Sequence, residues 1–469
     1  MEKVLQQYFH YSSFRPGQKE VIASIARGED VIGLFPTSMG KSLCYEILPY
    51  LLSGRVLIIS PLISLMEDQV RRIKQRGEKR VVALTSQLTQ AERQLVKSQL
   101  SQYRYIFCSP EILMKSEFAT ALQSLTYNAI TLDEAHCISQ WGYDFRPEYL
   151  QVGQWIQQLL KRPPILALTA TAHHETVEEL RYWLKMKEPK IFRGEMNRPN
   201  LYYDIRKVTS PFEILTQYVE QVSGDGIVYV RTRKKAEAYA EYFIQRGIAA
   251  ASYHGGMDRQ DRSLIQQQFL RGELDWIFAT SAFGMGIDKP DIRHVIHESI
   301  PLSFEQYVQE VGRAGRDGQN ARCLLLYKEA DLEEAQLFSN NYLLTNELFE
   351  EYNRYRSACK SEEEVMKLLR IEPSFLEIIK FYETHYSKEE RAQLIRKNAD
   401  NKKRQLELIF HWLTSEVCYR NALLTYFHSE GVSQERCCSN CHEIEEHFED
   451  TAVKVSNSSW EERLQQMFQ

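Results

Sequence analysis

Eleven short apolar runs, rich in β-branched residues and separated by longer segments of helical character, constrain this chain more than any single motif. Six of them occupy residues 31–35, 56–60, 81–85, 105–109, 129–133 and 165–169. Five more follow at 226–230, 250–254, 276–280, 294–298 and 322–327. A strand with one solvated face alternates polar and apolar residues. These runs are nearly continuous in apolar residues, as expected of parallel strands covered on both faces by crossover helices. The fold class expected is α/β, with two parallel-sheet lobes. Between the two sets, residues 188–200 (EPKIFRGEMNRPN) hold two prolines, a glycine and two asparagines, and read as a hinge. From about residue 329 the pattern turns helical, as in Leu406, Ile409, Leu413 and Val417. The expected units are a first lobe over 1–195, a second over 196–335, a small helical domain over 336–445 and a polar tail over 446–469. The tail closes with SSWEERLQQMFQ, read as one capped helix.

At 469 residues the chain exceeds what one ordinary core encloses. No apolar run reaches the roughly 18–20 residues that span a bilayer. The opening MEKVLQQYFHYSSF lacks the basic-then-apolar layout of a signal peptide. Cytosol is the expected compartment, with no membrane partner. A net charge of −5 does not advertise a nucleic-acid binder. A chain of this charge can still grip a phosphate backbone through main-chain N–H groups and local basic clusters. Nine cysteines in an intracellular chain argue against a disulfide framework. Cys44, Cys108, Cys137, Cys323, Cys359 and Cys418 are scattered, whereas Cys437, Cys438 and Cys441 crowd together near the end.

The chemistry begins where the first apolar run meets Pro36-Thr37-Ser38-Met39-Gly40-Lys41-Ser42. A strand entering a Gly-Lys-Ser turn and then a helix is the phosphate-loop layout. Backbone N–H groups and the helix N-terminus wrap phosphates, Lys41 supplies a point charge, and Ser42 can ligate Mg²⁺. The strict pattern is broken at its first position, where Phe35 replaces glycine. A second motif, Asp133-Glu134-Ala135-His136, ends a strand 92 residues after Lys41. There Asp133 can hold the magnesium shell while Glu134 orients or deprotonates the attacking water. Alone, such an acidic turn reads equally well as a solvated strand end; after a phosphate loop it points to NTP hydrolysis.

Further segments then match in order: YSSFRPGQ from Tyr11 to Gln18, SPLISLM from Ser60, CISQWGYDFRP from Cys137, LTATA from Leu168 and RPNL from Arg198. ATSAFGMGIDKP from Ala279 and QEVGRAGRDG from Gln309 follow. In these motifs the chain resembles the RecQ family of superfamily 2 DNA helicases over roughly residues 8–330, and more loosely to 442. The resemblance implies that Tyr11 stacks on adenine, Gln18 reads its edge and Arg15 supports the pocket, making ATP the nucleotide. It places Thr37, Ser38, Met39, Gly40, Gly286, Asp288 and Gln309 around the nucleotide. Arg316, with Arg313 close by, would reach across from the second lobe as an arginine finger. His136, Trp141, Phe145 and Arg146 would sense single-stranded DNA and relay it to the ATP site. The resemblance also implies 3′-to-5′ translocation on single-stranded DNA, unwinding of duplexes, and work in repair and recombination. Single-strand-binding or other recombination proteins are the expected partners, the chain a monomer near the nucleoid.

RecQ proteins bind structural zinc with one helix cysteine and a C-x-N-C-x-x-C run. Cys418, expected on a helix, and Cys438-Ser-Asn-Cys441 match three positions; the fourth is Ile444. Tetrahedral zinc needs four ligands, so Cys437 or His442 must substitute, with His428 and His447 as remoter choices. Longer family members add a winged helix and a further helical domain, for which the residues after Glu445 are too few, so weak or partner-assisted unwinding is expected. Two rival readings stand: an RNA helicase of the DEAD/DEAH class, and a non-catalytic annealing or scaffold protein with a relic site. Retention of Lys41, Asp133, Glu134, Arg313 and Arg316 opposes the second.

Overall fold

The structure is a computed structural model. It describes residues 1–442 apart from 37–38, 86–87, 115, 139–147, 171–173, 285–286, 288, 341–343, 359–360, 372 and 430–436. The first lobe carries β1 (Val31–Leu34), β2 (Val56–Ile59), β3 (Val81–Leu84), β4 (Tyr105–Cys108), β5 (Ala129–Leu132), β6 (Ile165–Thr169) and β7 (Lys190–Arg193). Among the described residues these form one sheet in the order β3-β4-β2-β5-β6-β1-β7. The second lobe carries β8 (Leu201–Lys207), β9 (Asp225–Tyr229), β10 (Ala250–Tyr253), β11 (Trp276–Ala279), β12 (Ile292–His297) and β13 (Ala321–Tyr327), ordered β10-β11-β9-β12-β13-β8. Every pairing is parallel. Wholly buried strands such as β2 and β4 explain the continuous apolar runs: helices cover both faces, so few positions are left for a polar side chain.

Each of the eleven expected runs is a strand. Two further strands, β7 and β8, were not expected, and β7 corrects the hinge reading. Residues 188–200 are not hinge throughout, because Lys190–Arg193 pairs with β1 as an edge strand. Its exposed positions deprive it of an apolar signature. In β8 the signal is masked by Asp204, which is buried against Arg322 (2.5 Å) and Arg206 (3.1 Å). The linker proper is therefore short, between Arg193 and Leu201. At the base of the first sheet, buried Asp30 accepts both terminal guanidinium nitrogens of Arg162 (3.1 and 2.6 Å) and the N–H groups of Ile165 (2.9 Å) and Lys187 (2.6 Å). A buried carboxylate so satisfied locks β1 to β6, the two strands whose far ends carry the phosphate loop and Thr169.

The helices after residue 330 share their buried side chains with the lobes. Phe349, Tyr352, Leu376, Ile379 and Tyr382 join the cluster that includes Ile130, Leu132, Val177 and Leu180 of the first lobe. Ile409, Trp412, Leu413, Leu423 and Cys438 join that of the second, beside Tyr203 and Tyr307. The long helix Lys388–Leu413 starts at a capping box of Ser387 and Glu390 and ends before Val417, which lies outside it and is exposed. Cys418 is likewise not within a helix but caps the next one, Tyr419–Tyr426. The tail expected over 446–469, including its closing helix, lies outside the described residues. No described helix is long and apolar enough to cross a membrane.

Candidate nucleotide site and thiol cluster

The phosphate loop leaves β1 through Phe35, whose N–H bonds the Thr169 carbonyl at 2.9 Å. Its ring is buried among three glycines. A Cβ at Gly17, Gly33 or Gly194 would come within 2.8, 3.0 or 2.7 Å of it. Gly17 also has φ 82°, where a side chain is strained. The aromatic ring thus takes the volume that three missing side chains release, which is how the loop tolerates losing its first glycine. Beyond it, Gly40 adopts φ 66°, and Leu43, Cys44 and Tyr45 begin a helix on the carbonyls of Gly40, Lys41 and Ser42. Gln18, itself buried, donates from its amide to the Met39 (2.8 Å) and Gly40 (3.0 Å) carbonyls and accepts from the Arg15 N–H (2.9 Å). The N-terminal turn therefore grips the phosphate loop directly. Tyr11, seven residues before Gln18, is 57% exposed. Thr37 and Ser38 lie outside the described residues.

At the end of β5, Asp133 and Glu134 are 7% and 9% exposed. Glu134 has φ 48°, a left-handed backbone that costs about 1 kcal/mol or more outside glycine and signals a turn held for its side chain. Its carboxylate lies 3.4 Å from the Lys41 ammonium. Burial pushes Glu134 up, but the charges of Lys41, His136 and Arg313 more than reverse this and hold it below the ordinary range. Asp133 goes the other way. Burial and the neighbouring Glu134 charge push it up to about 6, despite Lys41 and a bond from the Glu134 N–H (3.1 Å). Two adjacent buried carboxylates at the end of β5 are an oxygen donor pair suited to a hard divalent cation. His136 Nδ1 lies 3.0 Å from the Thr169 hydroxyl and 3.5 Å from Glu134, joining the ends of β5 and β6. Trp141, Phe145 and Arg146 lie outside the described residues.

The second lobe faces this site. The helix Phe304–Val311 is capped by Ser303, which accepts the Gln306 N–H at 3.1 Å. It is anchored beneath by a buried pair, His297–Glu310 at 2.7 Å. Gln309 is half-buried on it. Just past its end, Arg313 is buried and donates to the Gly284 carbonyl, while Arg316 donates to Ile287 O at 2.6 Å. Gly286 and Asp288 of that same segment lie outside the described residues. Arg313 is close enough across the lobes for its charge to act on Glu134. A small cavity between the lobes has Pro36 and Ala170 on one wall and Val308, Val311 and Gly312 on the other. The lobes also meet where Glu67, on the helix after β2, accepts both of its bonds (2.7 and 2.8 Å) from Arg259 at the start of the helix after β10.

The cysteines converge more completely than their spacing showed. The Sγ atoms of Cys418, Cys437, Cys438 and Cys441 all lie within 4.8 Å of one another. Separations are 3.3 Å for Cys418–Cys437, 3.8 Å for Cys438–Cys418 and 3.5 Å for Cys438–Cys441. A disulfide would hold its sulfurs at about 2.0 Å. Four thiolates about 2.3 Å from one zinc ion stand roughly 3.8 Å apart at tetrahedral geometry, so the residues fit that ion. Between the two substitutes for the absent fourth cysteine, the geometry brings in Cys437. Exposed His442 contributes its carbonyl to Tyr202 (2.7 Å), and His428 is also outside the cluster; His447 lies outside the described residues. Burial pushes the Cys418 thiol up, but the Asn421 N–H and the S–H groups around it more than offset this. Sequence reasoning gave no role to Arg198, Asn200 or Arg420. The first two were visible only within the RPNL match and Arg420 not at all, because their partners are mostly carbonyl groups that no spacing reveals.

The chain is similar to known proteins along most of its length. Residues 15–180 match the family model of the DEAD/DEAH box helicases, and residues 210–318 that of the helicase conserved C-terminal domain. The chain is 38% identical over 455 residues to the probable ATP-dependent DNA helicase RecS of Bacillus subtilis, covering 94% of this chain and 92% of that protein. It is 41% identical over 330 residues to the ATP-dependent DNA helicase RecQ of Haemophilus influenzae, covering 70% of this chain and only 53% of that one. Among solved structures, the Mycobacterium smegmatis helicase Lhr bound to single-stranded DNA and AMP-PNP superposes with a TM-score of 0.58 at 19% identity, over 72% of this chain and 49% of that chain, a likeness of fold. Two parallel-sheet lobes, a lysine and acidic pair at their junction, and near full-length similarity to a helicase converge on one conclusion: the chain belongs to the RecQ family of ATP-dependent DNA helicases.

Proposed function

We propose that the chain hydrolyses ATP in the cleft between its lobes to move 3′-to-5′ on single-stranded DNA and unwind duplexes during repair and recombination. The observation that supports this most is Lys41 at 3.4 Å from Glu134, with Asp133 beside it and the Arg313 charge acting from the other lobe. Lys41 would hold the β- and γ-phosphates, and Glu134, kept ionised, would orient and accept a proton from the attacking water. Asp133 and Ser42 would hold Mg²⁺, which when bound neutralises phosphate charge. Arg313, Arg316 and Gln309 would close on the γ-phosphate, as would the neighbouring Gly286 and Asp288 with Thr37, Ser38, Met39 and Gly40 of the loop. Adenine would stack on Tyr11 against Arg15 and Gln18. Because Gln18 already grips the loop carbonyls, base and phosphate recognition would be mechanically joined.

Single-stranded DNA would cross the C-terminal ends of both sheets, where open α/β folds bind ligands. His136, Trp141, Phe145 and Arg146 would couple it to the ATP site. Cys418, Cys437, Cys438 and Cys441 would hold one structural zinc. The domain boundaries at 195, 335 and 445, a monomeric state, a cytoplasmic location near the nucleoid and single-strand-binding partners belong to the same reading. The test is ATPase stimulation by single-stranded DNA against RNA, followed by unwinding of forked, 3′-tailed, 5′-tailed and blunt duplexes. Preference for DNA and for 3′ tails is expected; stronger activation by RNA, or unwinding from 5′ tails alone, would overturn the proposal.

A further inference from the structure

Arg420 is 1% exposed and among the largest fully buried side chains of the protein. Its bonds run to oxygen atoms of neutral groups. Nη1 donates to the Asn197 side chain (3.0 Å) and the Arg198 carbonyl (2.7 Å), and Nη2 to the carbonyls of Leu201 and Cys437 (3.4 Å). The guanidinium lies 5.0 Å over the Tyr203 ring. Burying a cation among neutral acceptors is unfavourable unless those acceptors are fixed to receive it. Here they are the linker between the lobes and the thiol-bearing segment.

The contacts continue in both directions. Upstream, Arg420 follows Cys418 by two residues, on the helix that Cys418 caps. The other cysteines are pinned to β8: Tyr203 N–H donates to Cys437 O (3.3 Å), Ser439 N–H to Tyr203 O (2.9 Å), and Ile205 N–H to the Ser439 hydroxyl (3.1 Å). The four thiols therefore tie the start of Arg420's helix to the edge of the second sheet. Downstream, the Arg198 guanidinium donates to Ala314 O (3.0 Å) and Gly315 O (2.7 Å). Those two residues separate Arg313 from Arg316.

We propose that Arg420 and Arg198 form a positioning relay, in which the thiol segment fixes the inter-lobe linker and the linker fixes the turn bearing Arg313 and Arg316. This rests on the reading of those two arginines as the groups that complete the phosphate site. The thiol cluster then acts on catalysis through geometry, by setting where two cations stand when the lobes close. Misplacing a catalytic cation weakens the transition state far more than the bound ground state.

Arg198→Met is the informative variant. It keeps the apolar arm and removes the donors, while Asn200, which donates to Gly315 O at 2.8 Å, still holds the turn. In the full chain, affinity for ADP and for ADP with fluoroaluminate (a transition-state mimic) are measured beside zinc content and melting temperature. The mimic should weaken by roughly ten- to a hundredfold while ADP affinity, zinc and melting temperature hold. Arg420→Lys should shift the same ratio with zinc retained, and Arg198→Lys should recover part of the loss. An unchanged ratio in Arg198→Met, or equal weakening of both ligands, overturns the relay. Arg316→Ala separates the premises: if that variant hydrolyses ATP normally, the reading of the phosphate site fails. If it is inactive while Arg198→Met is unaffected, the relay alone fails.

Discussion

Asp133 carries a carboxylate that burial and the Glu134 charge push from its ordinary 3.8 up to about 6, so near neutral pH the ligand-free protein holds an ionised group its surroundings disfavour. Asparagine at this position keeps the oxygen that accepts the Glu134 N–H at 3.1 Å and removes only the charge. A shift of roughly two units corresponds to about 3 kcal/mol above pH 6, from which about 1 kcal/mol is subtracted for burying a new amide N–H₂. Asp133→Asn should therefore stabilise the first lobe by about 2 kcal/mol, raising its melting midpoint by roughly 4–8 °C. The pH dependence has a definite sign. Below pH 3.8 the carboxyl is protonated both folded and unfolded, so no penalty exists; it accumulates as pH rises through the window to about 6 and is constant above. The variant should melt slightly below its parent at the acid end of that window, by the cost of the buried amide, cross it within the window and run parallel above it beyond. With magnesium and a non-hydrolysable ATP analogue the order should reverse, because only the parent can use the carboxylate to hold the ion, and ATPase should fall by orders of magnitude. A variant less stable than its parent at pH 7.5, or a difference that does not change with pH, would refute the electrostatic account.

Lys41→Ala should abolish DNA-stimulated ATPase while leaving DNA binding largely intact, measured by phosphate release and fluorescence anisotropy. Purified protein should carry about one zinc per chain by elemental analysis, as one closed site requires. Cys437→Ala should lower that content and His442→Ala should not. Phe35→Gly, which restores the common phosphate-loop pattern, should destabilise the protein by about 3–5 kcal/mol in denaturant titration, because it empties the space between Gly17, Gly33 and Gly194.

Both sheets were legible because parallel strands buried on two faces are apolar at most positions, and a run such as VLII in β2 fits few other environments. The strands that escaped notice break that rule for physical reasons. Edge strand β7 is solvated, and β8 hides a buried aspartate paired with Arg206 of the same strand and with distant Arg322 of β13. The phosphate loop and acidic pair were legible too, since their chemistry resides in contiguous residues. Convergence was not. Nothing in the spacing of Cys418 and Cys438 decides between Cys437 and His442, because adjacent residues differ in where the chain points them.

The amino-acid order determined which local pieces exist: strands, loops, charged groups and the turns that present them, all set by side-chain volume and backbone preference within a few residues. Tertiary structure decided which distant pieces share a site. It set Lys41 against Glu134, brought the Arg313 charge to bear on them, closed four thiols into one cluster and buried Arg420 between that cluster and the linker. The reason is that such contacts depend on sheet order and lobe packing, which sum many weak interactions over the whole chain and leave no signature in the spacing of the residues they join.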